Sequence, residues 1–397
     1  MSLTDTPRAN RLHIGLFGKR NSGKSSLVNA LTNQNIALVS EVAGTTTDPV
    51  YKSMEIYGIG PCVFIDTAGF DDSGDLGTMR VEKTKLAREK TDIALVLFSD
   101  VDLVEELQWI AHFKHVKTPV VAIINKADIL ADRIDELKKV IKKNSGLDPI
   151  VVSAKEKQGI AKIREEIIRL LPEDYEIKSI TGDLAKTGDT VLLVMPQDIQ
   201  APKGRLILPQ VQTLRDLLDK KCLVMSATTD KLDEALAAMK NPPNLIITDS
   251  QVFKTVYDKK PKESKLTSFS VLFANYKGDI KFFTESAKSI DSLTEASHVL
   301  IAEACTHAPL KEDIGREKLP RLLRAKIGEK LNITVVSGTD FPDDLSGYDL
   351  VIQCGACMFN RKYVLSRAEK ARSQNVPMSN YGVVLAYLSG ILDKIDF

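Results

Sequence analysis

Two groups of residues in this 397-residue sequence combine side-chain types and spacings that can do chemistry. The first is Gly18-Lys19-Arg20-Asn21-Ser22-Gly23-Lys24-Ser25, followed by Ser26, which fits the phosphate-loop pattern G-x-x-x-x-G-K-S directly between an apolar strand and an amphipathic helix. Its glycines let the backbone curl until successive N–H groups point at phosphate oxygens, and the helix N-terminus adds positive potential. Lys24 then reaches the β and γ oxygens, and Ser25 ligates magnesium. The second group is Cys305-Thr306-His307 and, well downstream, Cys354-Gly355-Ala356-Cys357. A Cys-x-x-Cys at the start of a helix turns two thiolates toward one metal while the helix N-terminus lowers their pKa. Cys305 makes three sulfurs. Zinc would recruit a fourth ligand such as His307, whereas a 4Fe-4S cluster tolerates three thiolates and one exchangeable iron. On residue types alone a redox pair, zinc, iron–sulfur and simple packing all remain open.

The elements that must position these groups alternate between strand and helix. Strand-like runs at Leu12 to Gly18, Cys62 to Asp66, Ile93 to Phe98, Val120 to Asn125 and Ile150 to Ser153, with a helix from Lys24, read as a βαβ series. That alternation predicts a mostly parallel sheet covered by helices on both faces, with its ligand beyond the carboxyl ends of the strands. A polar break at Pro172 to Asp189 and a Lys/Pro-rich stretch at Asp258 to Lys265 suggest two linkers. The expected organisation is α/β throughout: a P-loop domain over 1–172, then two smaller α/β domains with mainly parallel sheets over 173–262 and 263–397. In the last of these, strands are expected at Ser268 to Ala274, Val299 to Glu303, Ile333 to Val336 and Leu350 to Gln353, with a helix over Leu319 to Lys330. Cys305 and Cys354 then both lie at the carboxyl edge of a sheet, where loops converge.

Composition sets limits. Lys plus Arg (54) nearly equals Asp plus Glu (53), so no overall charge advertises nucleic acid or an anionic membrane as a partner. No run approaches the ~18 apolar residues of a membrane span, and the first ten residues are polar, so the cytoplasm is the expected location. Five cysteines are too few and too odd a number for a disulfide framework. Cys62 and Cys222, in or at apolar strands, read as small core hydrophobes, and His112 and His115 as part of a solvated helix face.

Four further segments make the nucleotide choice by resemblance. Gly44-Thr45-Thr46-Thr47-Asp48 resembles the first switch of translation-factor-type GTPases, in which a threonine, here Thr46, completes the magnesium shell. Asp66-Thr67-Ala68-Gly69 resembles the motif that gives a carboxylate to the metal's outer shell and a glycine N–H to the γ-phosphate. Asn125-Lys126-Ala127-Asp128 resembles the guanine motif, whose aspartate accepts two N–H groups that adenine cannot offer. Ser153-Ala154-Lys155 resembles the loop whose backbone N–H meets the guanine oxygen. The resemblance implies GTP and GDP as ligands with Mg2+, and Lys24, Thr46 and Gly69 as the residues acting on the γ-phosphate. Asn21 and the segment Ser40 to Asp48 are similar to the TrmE/Era-like branch. In its potassium-activated members the asparagine, with switch carbonyls here near Ser40 and Val42, holds K+ in the place of an arginine finger. Phe70 stands where Ras-like enzymes carry a water-positioning glutamine, and a phenyl ring cannot orient water, so intrinsic hydrolysis should be slow. Asp71, Asp72 and Asp75 follow in what reads as a solvated acidic loop.

A P-loop GTPase domain, a middle α/β domain and a C-terminal Cys-x-His followed by Cys-x-x-Cys resemble, over essentially the whole chain, the HydF family of FeFe-hydrogenase maturation GTPases. The resemblance implies a dimerisation domain, and a 4Fe-4S cluster on Cys305, Cys354 and Cys357. It further implies a homodimer that carries a di-iron precursor, with radical-SAM maturation enzymes and apo FeFe-hydrogenase as partners and neither nucleic acid nor membrane. Gln353 departs from the histidine many members carry before the Cys-x-x-Cys, so the fourth iron is expected to be open or held by His307 or an outside group. The alternative is a TrmE- or Era-like GTPase acting on RNA or the ribosome, with a structural zinc or redox cysteine site. No basic, aromatic-interleaved stretch supports it.

Overall fold

The structure, a computed structural model, describes residues 8–32, 50–56, 59–66, 84–171, 179–196, 206–304 and 314–397. Two compact units, Met1–Tyr175 and Glu176–Phe397, divide the chain.

In the first unit the strands are β1 (Leu12–Phe17), β2 (Val50–Ile56), β3 (Gly60–Asp66), β4 (Ile93–Phe98), β5 (Val120–Ile124) and β6 (Ile150–Val151). They form one sheet in the order β2-β3-β1-β4-β5-β6, parallel throughout except for the β2–β3 pair. The apolar runs of β4 and β5, and β1 with its single polar residue His13, are buried along their whole length, as strands covered on both faces must be. Successive side chains feed two cores. Leu12, Ile14, Leu16 and Leu95 pack with Leu27, Val28, Ile163 and Ile167 from helices Lys24–Thr32 and Ile160–Arg169. Phe17, Val96 and Phe98 pack on the other face with Ile110, Phe113, Leu137 and Ile141 from helices Val104–His115 and Ile134–Ser145. Each fully buried side chain of this size contributes roughly 1.5–3 kcal/mol, and together they fix the ends of β1, β3 and β5 where the nucleotide motifs begin. The sequence reading did not contain β2, an antiparallel edge strand whose Lys52 and Glu55 interrupt any apolar run.

The second unit holds two four-stranded parallel sheets. β7 (Thr190–Val194), β8 (Leu223–Ala227), β9 (Leu245–Thr248) and β10 (Lys265–Ser268) run in the order β10-β9-β7-β8. β11 (His298–Ala302), β12 (Asn332–Val336), β13 (Leu350–Gln353) and β14 (Met378–Asn380) run in the order β12-β11-β13-β14. Two expectations change here. A cut at 262/263 would detach β10 from the sheet it completes by pairing with β9. The segment Ser268 to Ala274, expected as a strand, is a helix, Phe269–Lys277. Ser268 caps it, its hydroxyl accepting the Val271 N–H at 3.2 Å, and Phe269, Leu272 and Phe273 meet the core around β7 and β9 at helical spacing. Cys62 and Cys222 are core residues as expected. No helix among the described residues is long and apolar enough to cross a membrane.

Candidate functional site: a nucleotide cleft and a cysteine loop

The phosphate loop leaves β1 at Phe17 and enters the helix at Lys24. Gly18 and Gly23 take φ of +148° and +88°, which a side chain would strain, and a Cβ on residue 23 would fall on the carboxamide nitrogen of Asn125. The buried Lys24 lays its ammonium across the loop, donating to the carbonyls of Gly18 at 2.7 Å and Lys19 at 2.9 Å. Ser25 Oγ donates to Asp66 Oδ2 at 3.4 Å, at the end of β3. The other carboxylate oxygen of Asp66 is buried without a hydrogen-bond partner among the described residues. Burial pushes the Asp66 carboxyl up, against the pull of Lys24 and Ser25. An orphaned buried carboxylate beside a serine hydroxyl and an ammonium suits a hydrated divalent cation next to phosphate. Asn21, Ser26, Asp66 and Lys126 help to line a cleft of about 460 Å³ over the loop.

A residue the sequence reading missed holds the loop from below. Glu106, in helix Val104–His115, is buried, and its Oε1 accepts the Lys19 N–H at 3.4 Å, while Lys19 Nζ donates to Asp102 Oδ2 at 2.7 Å. Desolvation pushes the Glu106 carboxyl up. An acidic residue in the first turn of a helix ordinarily reads as a dipole partner; only the fold brings it to a loop 87 positions away.

The base motifs meet at the end of β5. Asn125 is buried; its Nδ2 donates to the Ser22 carbonyl at 2.8 Å and its Oδ1 accepts the Ala154 N–H at 3.1 Å, so one side chain ties the phosphate loop to the Ser153-Ala154-Lys155 loop. The Ala154 amide, one of the loop donors expected at the base, is thus engaged by Asn125. Asp128 stays exposed, and Ser153 Oγ donates to it at 2.6 Å, holding its carboxyl below the usual range and so ionised. Lys126 and Asn21 both adopt left-handed backbone, at φ +59°. Thr45, Thr46, Gly69, Ser40, Val42, Phe70, Asp71, Asp72 and Asp75 lie outside the described residues.

In the second unit Cys354 follows β13 directly, at the carboxyl edge. Its sulfur accepts the Ala304 N–H at 3.0 Å and the Ala356 N–H at 3.3 Å. Ala356 takes φ +49°, the turn that brings its amide back to the sulfur, and a Cβ on Gly355 would meet nothing within 4 Å. Two amides on sulfur and open space beside the turn fit a thiolate-bound metal cluster. The expected lowering of thiol pKa by a helix N-terminus is overturned. The helix starts only at Arg361, capped by Asn360, and although Cys354 keeps some surface, burial of its thiol pushes it up to about 11. Lys277, which the sequence reading also missed, is buried at the end of its helix and donates to the carbonyls of Phe359, Cys357 and Ala356 at 2.8, 3.1 and 3.2 Å. Desolvation lowers its pKa to about 8. Cys305 and His307 lie outside the described residues, and among the described residues no three metal-ligating side chains converge.

Comparison with known proteins matches three family models. Residues 13–126 match a 50S ribosome-binding GTPase, 180–278 a hydrogen maturase F dimerization domain and 281–395 a hydrogen maturase F tetramerization domain. The tRNA modification GTPase MnmE of Heliobacterium modesticaldum is 36% identical over 161 residues, covering 40% of this chain and 34% of that protein. GTPase Der of Wolinella succinogenes is 35% identical over 189 residues, covering 44% of this chain and 39% of that protein. This chain therefore spans little more than a third of the length of these relatives. Among solved structures, Aquifex aeolicus Era bound to GDP.AlF4- aligns at 19% identity with a TM-score of 0.35, covering 57% of this chain and 98% of that one.

Proposed function

Since the chain belongs to the hydrogen maturase F family and carries a GTPase domain of the MnmE type ahead of that family's two oligomerization domains, we propose that it is a scaffold and carrier of metal cargo. It binds a 4Fe-4S cluster and delivers a di-iron precursor to apo FeFe-hydrogenase. The chain is a GTPase; what it carries, and to whom, is the proposal. The observation that supports the cargo site is the Cys354 sulfur held by two amides at the sheet edge, with Cys357 three residues on.

In the nucleotide domain Lys24 releases its two loop carbonyls to take β and γ oxygens, while backbone amides of the loop receive the rest of the phosphate charge. Ser25 and Thr46 would hold magnesium, with Asp66 in its outer shell, and the bound cation would supply neutralising charge at the phosphates. Asn21 would hold K+ to supply a second positive charge at the phosphates, and the Gly69 N–H would donate to the γ-phosphate. Asp128 accepts the guanine N–H pair, with Ser153, Ala154 and Lys155 closing the base pocket around Asn125 and Lys126. In the cargo domain Cys305, Cys354 and Cys357 would hold the cluster, and three thiolates would let it supply an exchangeable coordination position. The matched domains support oligomerization, for which we propose at least a homodimer, with the radical-SAM maturation enzymes as further partners.

The test is transfer. Full-length protein loaded in cells that hold the radical-SAM maturases should confer hydrogen evolution on purified apo-hydrogenase, and Cys354→Ser protein prepared alongside should not. Equal activation by both proteins would remove the cysteine loop from the carrier role.

A further inference from the structure

Lys277, at the end of helix Phe269–Lys277, sets its ammonium against the cysteine loop, and its surroundings do not resemble those of an ordinary structural lysine. It is 2% exposed. No carboxylate among the described residues pairs with it; the charges it faces are those of Cys357 and Cys354 in their anionic forms. Its three hydrogen bonds go to three carbonyls of the same six-residue loop, and three acceptors within 2.8–3.2 Å match the three donors of an ammonium. Burying an ammonium with no carboxylate beside it is costly, and the three carbonyls offset that only in part. A chain that needed only packing here would place methionine or leucine at the end of this helix. The loop also depends on the lysine for its shape. Ala356 sits in left-handed backbone, which is strained for a residue with a Cβ. Lys277 holds that residue by its carbonyl, while its amide is committed to Cys354 sulfur.

We propose that Lys277 is the positioning and counter-charge residue of the cysteine loop: it clamps the turn that aims Cys354 and Cys357, and its ammonium raises the reduction potential of the cluster they hold. The inference rests on the cluster reading above for its electrostatic half and on the loop geometry alone for its clamping half. A cation within hydrogen-bonding distance of the ligand backbone favours the more negative, reduced cluster. The clamp also presents the two sulfurs in one arrangement before metal arrives.

Full-length wild type, Lys277→Met and Lys277→Gln would be reconstituted anaerobically with iron and sulfide. Metal occupancy is then read by iron and sulfide content, and midpoint potential by a redox titration followed by electron paramagnetic resonance. Both variants should shift to more negative potential, and Met, which has no donor, should lose more iron than Gln, which keeps two N–H groups. Equal potential and occupancy in all three proteins overturn the counter-charge role. Hydrogen exchange of residues 354–360 in the metal-free chain reads the clamp without any cluster: exchange should speed up several-fold in Lys277→Met and less in Lys277→Gln, and unchanged exchange overturns it. If Met unfolds the domain by circular dichroism, Gln carries both measurements. A wild type that takes up no iron and sulfide overturns the counter-charge role together with the reading it rests on, while the exchange rates still decide the clamp.

Discussion

The carboxamide nitrogen of Asn125 occupies the space that a Cβ on Gly23 would need, and from there it donates to the Ser22 carbonyl. The phosphate loop and the base motif are therefore built against each other. Gly23→Ala meets both the side chain and a φ of +88°, and should weaken GTP binding by about tenfold or more. Asn125→Ala removes the obstacle but leaves the Ser22 carbonyl and the Ala154 N–H unpaired, at about 1–3 kcal/mol each. In the double variant the loss should be smaller than the sum of the two single losses, because the clash is gone. Strict additivity of the measured nucleotide Kd values would show that the two residues do not share this space.

Lys24→Ala should lower GTP turnover by about a hundredfold or more, since it deletes the cation aimed at the developing phosphate charge. Phosphate release from GTP measures it. Iron content of the same protein should match wild type, because the cysteine loop belongs to the other compact unit. Turnover within a few-fold of wild type would remove Lys24 from the reaction.

Asp128→Asn changes an acceptor pair into one acceptor and one donor. Guanine offers two N–H groups on that edge, whereas xanthine offers an N–H and a carbonyl. The variant should lose about a hundredfold in affinity for GTP, because charge-assisted bonds are the stronger kind, and gain affinity for xanthosine triphosphate. Competition against a fluorescent nucleotide checks it. Undiminished GTP binding would move base recognition elsewhere.

Burial raises the Cys62 thiol from 9.0 to about 12. The folded chain keeps this proton where the unfolded chain has lost it, so the contribution to stability is complete below pH 9 and is lost as pH rises toward 12. The loss reaches on the order of 4 kcal/mol at the end of that window. Urea unfolding of the wild type should therefore weaken steadily above pH 9, and Cys62→Ala should flatten that slope while lowering stability near neutrality. Parallel pH profiles for the two proteins would mean that Cys62 is ionised or exposed in the folded state.

What the sequence made legible follows the range of the forces involved. The phosphate loop, the base motif and the sheet that carries them are local: glycines, lysine and aspartate at fixed offsets after apolar strands, each strand a run long enough to be recognised. Helix Phe269–Lys277 was hidden because a short continuous apolar run carries no period, and the burial of three of its residues against β7 and β9 decides the matter. Ser268, a good N-cap, was the signal available. Glu106 and Lys277 were invisible for another reason: each acts on a loop about 80 or more positions away, which no spacing rule reaches. The thiol shift at Cys354 came out opposite in sign because desolvation, a tertiary quantity, outweighs the two amides that oppose it.

The proposed cargo function requires the cysteine loop of this GTPase to hold an iron–sulfur cluster. Metal and acid-labile sulfide analysis of the anaerobically purified full chain, beside Cys354→Ser, tests it most directly. The wild type should hold about four iron and four sulfide per chain and no stoichiometric zinc, and the variant little of either. One zinc per chain without sulfide, or iron that survives loss of Cys354, would contradict it.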